Sequence, residues 1–294
     1  MKLGIIGFGA RITSMVGEIK KLRPDMEVVG YVDPRPIPDE QIAFLGRRPE
    51  SCASAEDLIT RLRPDGIMIG TRCSLHARYT AQVLPYGIPI FLEKPVATTF
   101  EDWRMLKEAA ERHPTPVVVS HPLRLTSVVQ LVKEIADSGV IGTIEHVQAV
   151  NNVPYGGVYY HAWYRDEKET GGLFLQKATH DFDYINYVVG QRAVGIMAMT
   201  SKQIFKGDKP AGLKCVDCEE KYTCLDSTVG TPEEPYWPWC SFAVDTGNED
   251  SGSALLRYES GMHVSYSQNF FARREAGRRG ATFLGSKGTT EFDF

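Results

Sequence analysis

No stretch of the 294-residue chain approaches the roughly 20 consecutive apolar residues that a membrane-crossing helix needs. The opening MKLGIIGFGA turns to glycine before a signal-peptide core can form, so a soluble, cytoplasmic protein is expected. Six cysteines are too few for a disulfide scaffold at this length, and Cys52 and Cys73 stand alone. An excess of positive charge is also missing. Lys and Arg number 33 against 37 Asp and Glu, a formal charge of −4, and the electrostatic footprint of a nucleic-acid binder is absent. With 43% hydrophobic and 24% charged residues, the composition is that of an ordinary globular protein and excludes disordered, collagen-like and coiled-coil chains. At roughly 100–200 residues per domain, the length suggests two domains, and the ligand left open is a small uncharged or anionic molecule.

From Lys2 to about Pro122, short apolar runs alternate with amphipathic stretches, the rhythm of βαβ units and a parallel sheet. LGIIGF, EVVGYVD, GIMIGT, PIFLEKP and PVVVSHP read as strands. Ser14 to Leu22, Ala55 to Leu62, Ala77 to Leu84 and Thr99 to Arg112 carry apolar residues at helical spacing. Strands this uniformly apolar are buried on both faces, which predicts a doubly wound α/β domain over residues 1–122. In such a sheet ligands bind beyond the carboxyl ends of the strands, so strand-end residues are the candidates.

The first strand ends in Gly7-Phe8-Gly9-Ala10-Arg11-Ile12, two glycines of a GxGxxG fingerprint with Ile12 where the third would stand. Such a turn lets backbone amides approach a diphosphate at the amino end of the next helix, while the third glycine serves helix–strand packing. A glycine turn without a ligand has the same local sequence. Asp33 closes the second strand, where a carboxylate accepts hydrogen bonds from ribose hydroxyls and favours NAD. Arg11 and Arg35 leave NADP open, because either guanidinium suits a 2′-phosphate. A turn before Pro34 also suits Asp33.

The fourth strand leads through Thr71 to His76, and the fifth ends in Glu93-Lys94-Pro95. With the glycine turn, these segments resemble the glucose-fructose oxidoreductase, inositol dehydrogenase and rhizopine catabolism (Gfo/Idh/MocA) family. The resemblance extends over nearly the whole chain, through Gly139-Val140-Ile141-Gly142 and Gly171-Gly172 with His180 and Asp183. It implies a Rossmann domain followed, over residues 123–294, by an α/β domain with an open, mostly antiparallel sheet, and assembly as a homodimer or homotetramer. The later sequence fits: a helix from Leu125 to Ser138, a strand from Thr143 to Asn151, and further strands at Ser253 to Tyr258, His263 to Phe270 and in GATFLGSKGTTEFDF. Members of the family usually continue past this point.

Oxidising an alcohol with a nicotinamide requires a proton acceptor and a donor that steadies the developing oxyanion. By resemblance, Lys94 of the Glu-Lys-Pro triplet is that donor, and Pro95 invites a cis peptide. Gly7, Gly9, Ala10, Arg11, Ile12, Asp33, Arg35, Thr71, His76, Glu93, Lys94 and Pro95 are the expected cofactor contacts. On the helix after Gly172, Lys177 and His180 are three residues apart and share a face, with His180 matching the family's proton acceptor. Many members carry aspartate four residues before this histidine, whereas here stands Gln176, with Lys177 beside it. Trp163 and Arg165 match a family Trp-x-Arg segment and, with Arg124, Lys177 and His180, are the expected substrate contacts.

Cys215-x2-Cys218-x5-Cys224 and, later, Cys240 fall in an insertion at about residues 205–240 rich in Gly, Pro and charge. Four thiolates satisfy a closed tetrahedral zinc site; an iron–sulfur cluster, a disulfide or metal-free thiols fit the same spacing. The leading function is an NAD(P)-dependent oxidoreductase acting on a sugar, cyclitol or related polyol. Gln176 leaves room for transient oxidation followed by glycoside elimination, and a non-catalytic nicotinamide sensor is the third alternative.

Overall fold

The computed structural model describes residues 1–294, the side chain of Arg274 excepted, and divides into two units, Met1–Ser120 and His121–Phe294. In the first, the apolar runs form β1 (Lys2–Ile6), β2 (Glu27–Val32), β3 (Glu50–Ser51), β4 (Gly66–Ile69), β5 (Ile90–Leu92) and β6 (Val117–Val119). All pair in parallel, in the order β3-β2-β1-β4-β5-β6, so the strand order reverses between β1 and β4. Successive side chains of a strand point to opposite faces, and Ile5 and Ile6 accordingly enter two different apolar clusters. Ile5 packs with Ile12 and Val16 of α1 (Ala10–Leu22), and the short α2 (Asp39–Ile42) adds Ile42 to that side. Ile6 packs with Leu58 and Ile59 of α3 (Ala55–Leu62) and Val83 of α4 (His76–Val83), where α5 (Phe100–Arg112) contributes Ala109. This is the doubly wound sheet expected. The two-residue β3 is too short to leave a pattern in the sequence.

In the second unit, α6 (Ser127–Asp137) precedes β7 (Ile144–Asn152), the short α7 (Val158–His161) and α8 (Glu167–Thr170), and the long α9 (Leu173–Val189). There follow β8 (Ala193–Ser201), β9 (Ser251–Tyr258), β10 (His263–Asn269), β11 (Arg278–Gly285) and β12 (Thr289–Asp293). The sheet order is β12-β11-β7-β10-β9-β8, with only β7 and β10 parallel. Its inner face, including Val147, Leu256, Val264 and Phe283, buries Val129 and Val132 of α6 and Tyr184, Ile185 and Val188 of α9. The outer face carries no helix: Gln148, Leu255, Ser265 and Thr282 line a hollow of about 570 Å³ beside Met197 and Met199. β8 was not legible in the sequence, because nearly every residue of AVGIMAMTS is exposed and no alternation marks it.

Residues 202–250, between β8 and β9, contain no strand. A buried carboxylate anchors the start of this stretch: Asp250 Oδ2 accepts the amides of Gln203, Ile204 and Phe205 at 2.8, 2.6 and 3.0 Å. Phe205 is thereby seated among Val153, Tyr160, Leu173 and Phe270. Removing the acceptor strands donors that water reaches poorly, at about 1–3 kcal/mol for a buried unsatisfied group. Asp250→Ala is expected to lose about 3 kcal/mol in chemical denaturation and to become sensitive to proteolysis within residues 202–250. Unchanged stability and cleavage would show that the anchor is dispensable.

Candidate functional site

In the first unit the strand-order reversal places the β1–α1 turn beside the end of β4. Gly7 has φ +81°, and a Cβ there would lie 2.6 Å from the Thr71 nitrogen, so only glycine fits. Gly9 opens onto free space, contributes no side-chain cap to α1, and is followed by a first turn without acidic residues. By contrast, α3 and α5 are capped by Ser54 and Thr99 and have acidic first turns. An uncapped amino end reached across an open glycine suits a diphosphate, whose charge the helix dipole favours. Ala10, Arg11 and Ile12 form that first turn, and the buried Ile12 packs where a third glycine would have stood.

Asp33 orders the turn as well as facing it. Its Oδ2 accepts the Phe8 amide and its Oδ1 the Arg35 amide, each at 3.0 Å, and each oxygen keeps a lone pair for a ribose hydroxyl. The Arg11 Nε donates to Glu93 Oε1 at 3.1 Å, while Arg35 is highly exposed, its Nε 3.9 Å from Asp33 Oδ1. Gln41, unforeseen in the sequence, donates to the Phe8 carbonyl and Thr13 hydroxyl, both at 2.7 Å. Thr71 follows β4 and Glu93-Lys94-Pro95 follows β5, with the Lys94–Pro95 peptide cis. His76 departs from expectation. It is buried, with Nδ1 2.7 Å from the Pro95 carbonyl and Nε2 3.2 Å from the Thr71 carbonyl, so both ring nitrogens face backbone rather than a ligand. Burial lowers its pKa while the two backbone carbonyls act the other way, and the ring sits between the segments that follow β4 and β5.

The second unit gathers its polar groups on α9. Gly172, at φ +89°, starts the helix, and Glu249 Oε1 accepts the Phe174 amide. One face of α9 buries Asp181 completely. Its Oδ2 accepts Asn151 Nδ2 and the Tyr266 hydroxyl, and its Oδ1 accepts Arg279 Nε, all at 2.8 Å. One turn earlier, Lys177 is buried; its Nζ donates to the Tyr155 hydroxyl and lies 4.7 and 5.7 Å from the Tyr155 and Tyr159 ring centroids. Burial first, then the Arg279 cation, pulls its pKa down to about 7, with Asp181 opposing. His180 follows on the same helix, partly buried, its ring edge-on to His121 at 5.8 Å.

Asp183 receives Arg124 Nε at 2.8 Å, and the Arg124 guanidinium lies over the Tyr187 ring. Trp163 stacks on Tyr164 at 3.8 Å. Arg165 also departs from expectation. Its guanidinium is buried, donates to Asp245 at 2.7 Å and the Cys240 carbonyl at 3.3 Å, and packs on Trp239, so it fastens residues 202–250 instead of facing a substrate. The expected zinc site is likewise corrected. Cys215, Cys218, Cys224 and Cys240 line one small hollow with Lys221 and Phe242 and are free thiols. Among the described residues no group of three or more His, Cys, Asp or Glu is disposed to hold a metal ion. The sequence missed Tyr155, Asp181, Arg279 and Glu249; only Asp181, in the polar run beside His180, carried any local signal.

Two family models match. The model described as oxidoreductase family, NAD-binding Rossmann fold, covers residues 1–141, and the GFO/IDH/MocA C-terminal domain model covers residues 129–291. Among curated proteins, YteT of Bacillus subtilis is 25% identical over 97% of this chain and 75% of its own length. The rhizopine catabolism protein MocA of Rhizobium meliloti is 24% identical over 70% of this chain, which spans 62% of MocA. D-glucoside 3-dehydrogenase of Escherichia coli is 24% identical over 90% of this chain and 74% of its own. The crystal structure of the WlbA dehydrogenase from Bordetella pertussis, in complex with NADH and UDP-GlcNAcA, superimposes with a TM-score of 0.74 at 22% identity, over 100% of this chain and 78% of that one.

The buried Asp181–Arg279 pair yields a prediction. Breaking a buried ion pair from one side leaves an uncompensated charge, at about 3–5 kcal/mol. Asp181→Asn is expected to lose about that much in urea denaturation, and Asp181→Asn/Arg279→Met to recover part of it. A single variant of unchanged stability would refute the pair's structural weight.

Proposed function

Because the chain belongs to the GFO/IDH/MocA oxidoreductase family, with its NAD-binding Rossmann fold, we propose that it is a dehydrogenase or reductase of CH–OH groups on a sugar, cyclitol or related polyol. The observation that carries this reading is the open, uncapped start of α1 beside Asp33, on a chain that also keeps Lys94 at the end of β5. The amides of Gly9, Ala10, Arg11 and Ile12 would hold the diphosphate, Asp33 the adenosine ribose, and Thr71, Glu93, Lys94 and Pro95 the nicotinamide end. When bound, the nicotinamide accepts or returns a hydride. Lys94 steadies the substrate oxygen as its charge develops, and the pair Lys177 and His180 on α9 handles the proton. D-glucoside 3-dehydrogenase, by its name, acts on a glucoside, which supports a polyhydroxylated substrate.

NAD is preferred to NADP in this reading. Asp33 would repel a 2′-phosphate, Arg11 is directed to Glu93, and Arg35 alone remains near the ribose position. Two further properties are proposed. The uncovered outer face of the second sheet, where Met197, Met199 and Leu255 are 70, 76 and 53% exposed, supports self-association as a dimer or tetramer. Six unbridged cysteines support a reducing, cytoplasmic setting, and no helix is long and apolar enough to cross a membrane among the described residues.

Near-UV absorbance of the reduced nicotinamide tests the reaction. Unsubstituted protein with NAD and a polyol panel should develop the band, Lys94→Ala should lose at least about 100-fold in kcat, and Asp33→Ala should narrow the preference for NAD over NADP. A flat trace with every polyol would refute the dehydrogenase reading. Analytical ultracentrifugation tests assembly: the protein should sediment as a dimer or tetramer and Met199→Glu as a monomer, whereas a monomeric parent protein would overturn the interface.

A further inference from the structure

The side chain that stands beside the family's usual carboxylate position is a buried amine with an unusual partner. Lys177 Nζ has no carboxylate within ion-pair distance among the described residues. Asp181, the carboxylate that acts on it, is itself engaged by Arg279, Asn151 and Tyr266. The Lys177 amine donates to the phenol of Tyr155, and Tyr155 is 50% exposed. A buried amine is thus hydrogen-bonded to the phenol of a half-exposed residue.

From this arrangement we propose that Tyr155 and Lys177 form the proton-accepting couple of the second unit, with Tyr155 meeting the substrate hydroxyl and Lys177 receiving the proton behind it. The inference rests on the dehydrogenase reading and assigns that site a catalytic residue the sequence did not suggest. The substrate O–H bond breaks with its electron pair left on oxygen, and the proton passes to Tyr155 Oη. The phenol's own proton passes to the Lys177 nitrogen lone pair, so an alcohol and an amine become an alkoxide and an ammonium. Atoms and charge balance without any other reactant.

Every charged or titratable group around the amine bears on whether its lone pair is free. From β11, the Arg279 cation disfavours a second positive charge; on α9, Asp181 favours it, but from behind its own ion pair. From the segment after β7 and from α7, the Tyr155 and Tyr159 rings favour an ammonium, their centroids 4.7 and 5.7 Å from the nitrogen. Burial opposes it with the largest single effect, leaving the amine balanced near neutrality. His180 lies one turn along the same helix, on the same face.

Two readouts test the couple. Protein carrying lysine labelled with 13C at Cε should show one lysine signal that titrates near pH 7 and is absent from Lys177→Arg. On the polyol that the protein oxidises, kcat should fall with decreasing pH around that same midpoint. Tyr155→Phe should lower kcat about 100-fold with KM changed by less than about threefold and flatten that acid limb, while the lysine signal still titrates below pH 9. Turnover by a protein whose lysines all titrate above pH 9, or a Tyr155→Phe variant with kcat and pH profile unchanged, would overturn the couple alone. No turnover on any polyol, with a lysine titrating near 7, would overturn the dehydrogenase reading and the relay with it.

Discussion

The second unit depends on a single buried carboxylate. Asp181 ties α9 to three strands at once, through Asn151 on β7, Tyr266 on β10 and Arg279 on β11. Apolar contacts alone would let a helix slide or rotate on a sheet by small amounts, since they are non-directional. Three hydrogen bonds to one carboxylate, two of them from strands flanking β7, remove that freedom. Lys177 and His180 are therefore presented from a fixed face of α9. The same ion pair sets the charge of the site, because Arg279 draws the carboxylate to itself and leaves the amine one turn earlier without an ion-pair partner.

The first unit solves a comparable problem with backbone. Gly7 is held in a left-handed conformation against Thr71, and Asp33 gathers the amides of Phe8 and Arg35 around the same turn. The carboxylate that orders the loop is itself largely buried, and each of its oxygens accepts one backbone amide of the turn. His76 completes the frame by bracing the ends of β4 and β5 through two backbone carbonyls. Its sequence neighbourhood suggested a ligand contact, and the structure gives it a supporting part instead.

How much of this was legible follows from the range of the interactions. The five main strands of the first unit and its helices other than the short α2 were readable because each signal, an apolar run or a helical spacing, is local. The Ser54 and Thr99 caps confirm two of those helix starts within a residue. β8 was invisible because its residues face solvent on both sides, so selection for burial leaves no pattern. Tyr155, Arg279 and Glu249 were missed for a different reason: their partners lie 22, 98 and 75 residues away, and nothing near them in the chain announces the pairing. Arg165 was misread by the same logic, since Asp245 and the Cys240 carbonyl reach it from 80 and 75 residues on. The four cysteines did converge, as their spacing suggested, yet convergence of thiols is a weaker condition than the tetrahedral disposition a metal demands.

Gln176 and Lys177 are consecutive on α9, and consecutive helical residues point in different directions, so the surroundings of the buried amine are set by its neighbours in space, Arg279 and the Tyr155 and Tyr159 rings. The balance between burial, Arg279 and the two tyrosine rings falls close to neutrality. In the proposed relay, proton acceptance on α9 rests with the Lys177 nitrogen, which is hydrogen-bonded to the Tyr155 hydroxyl.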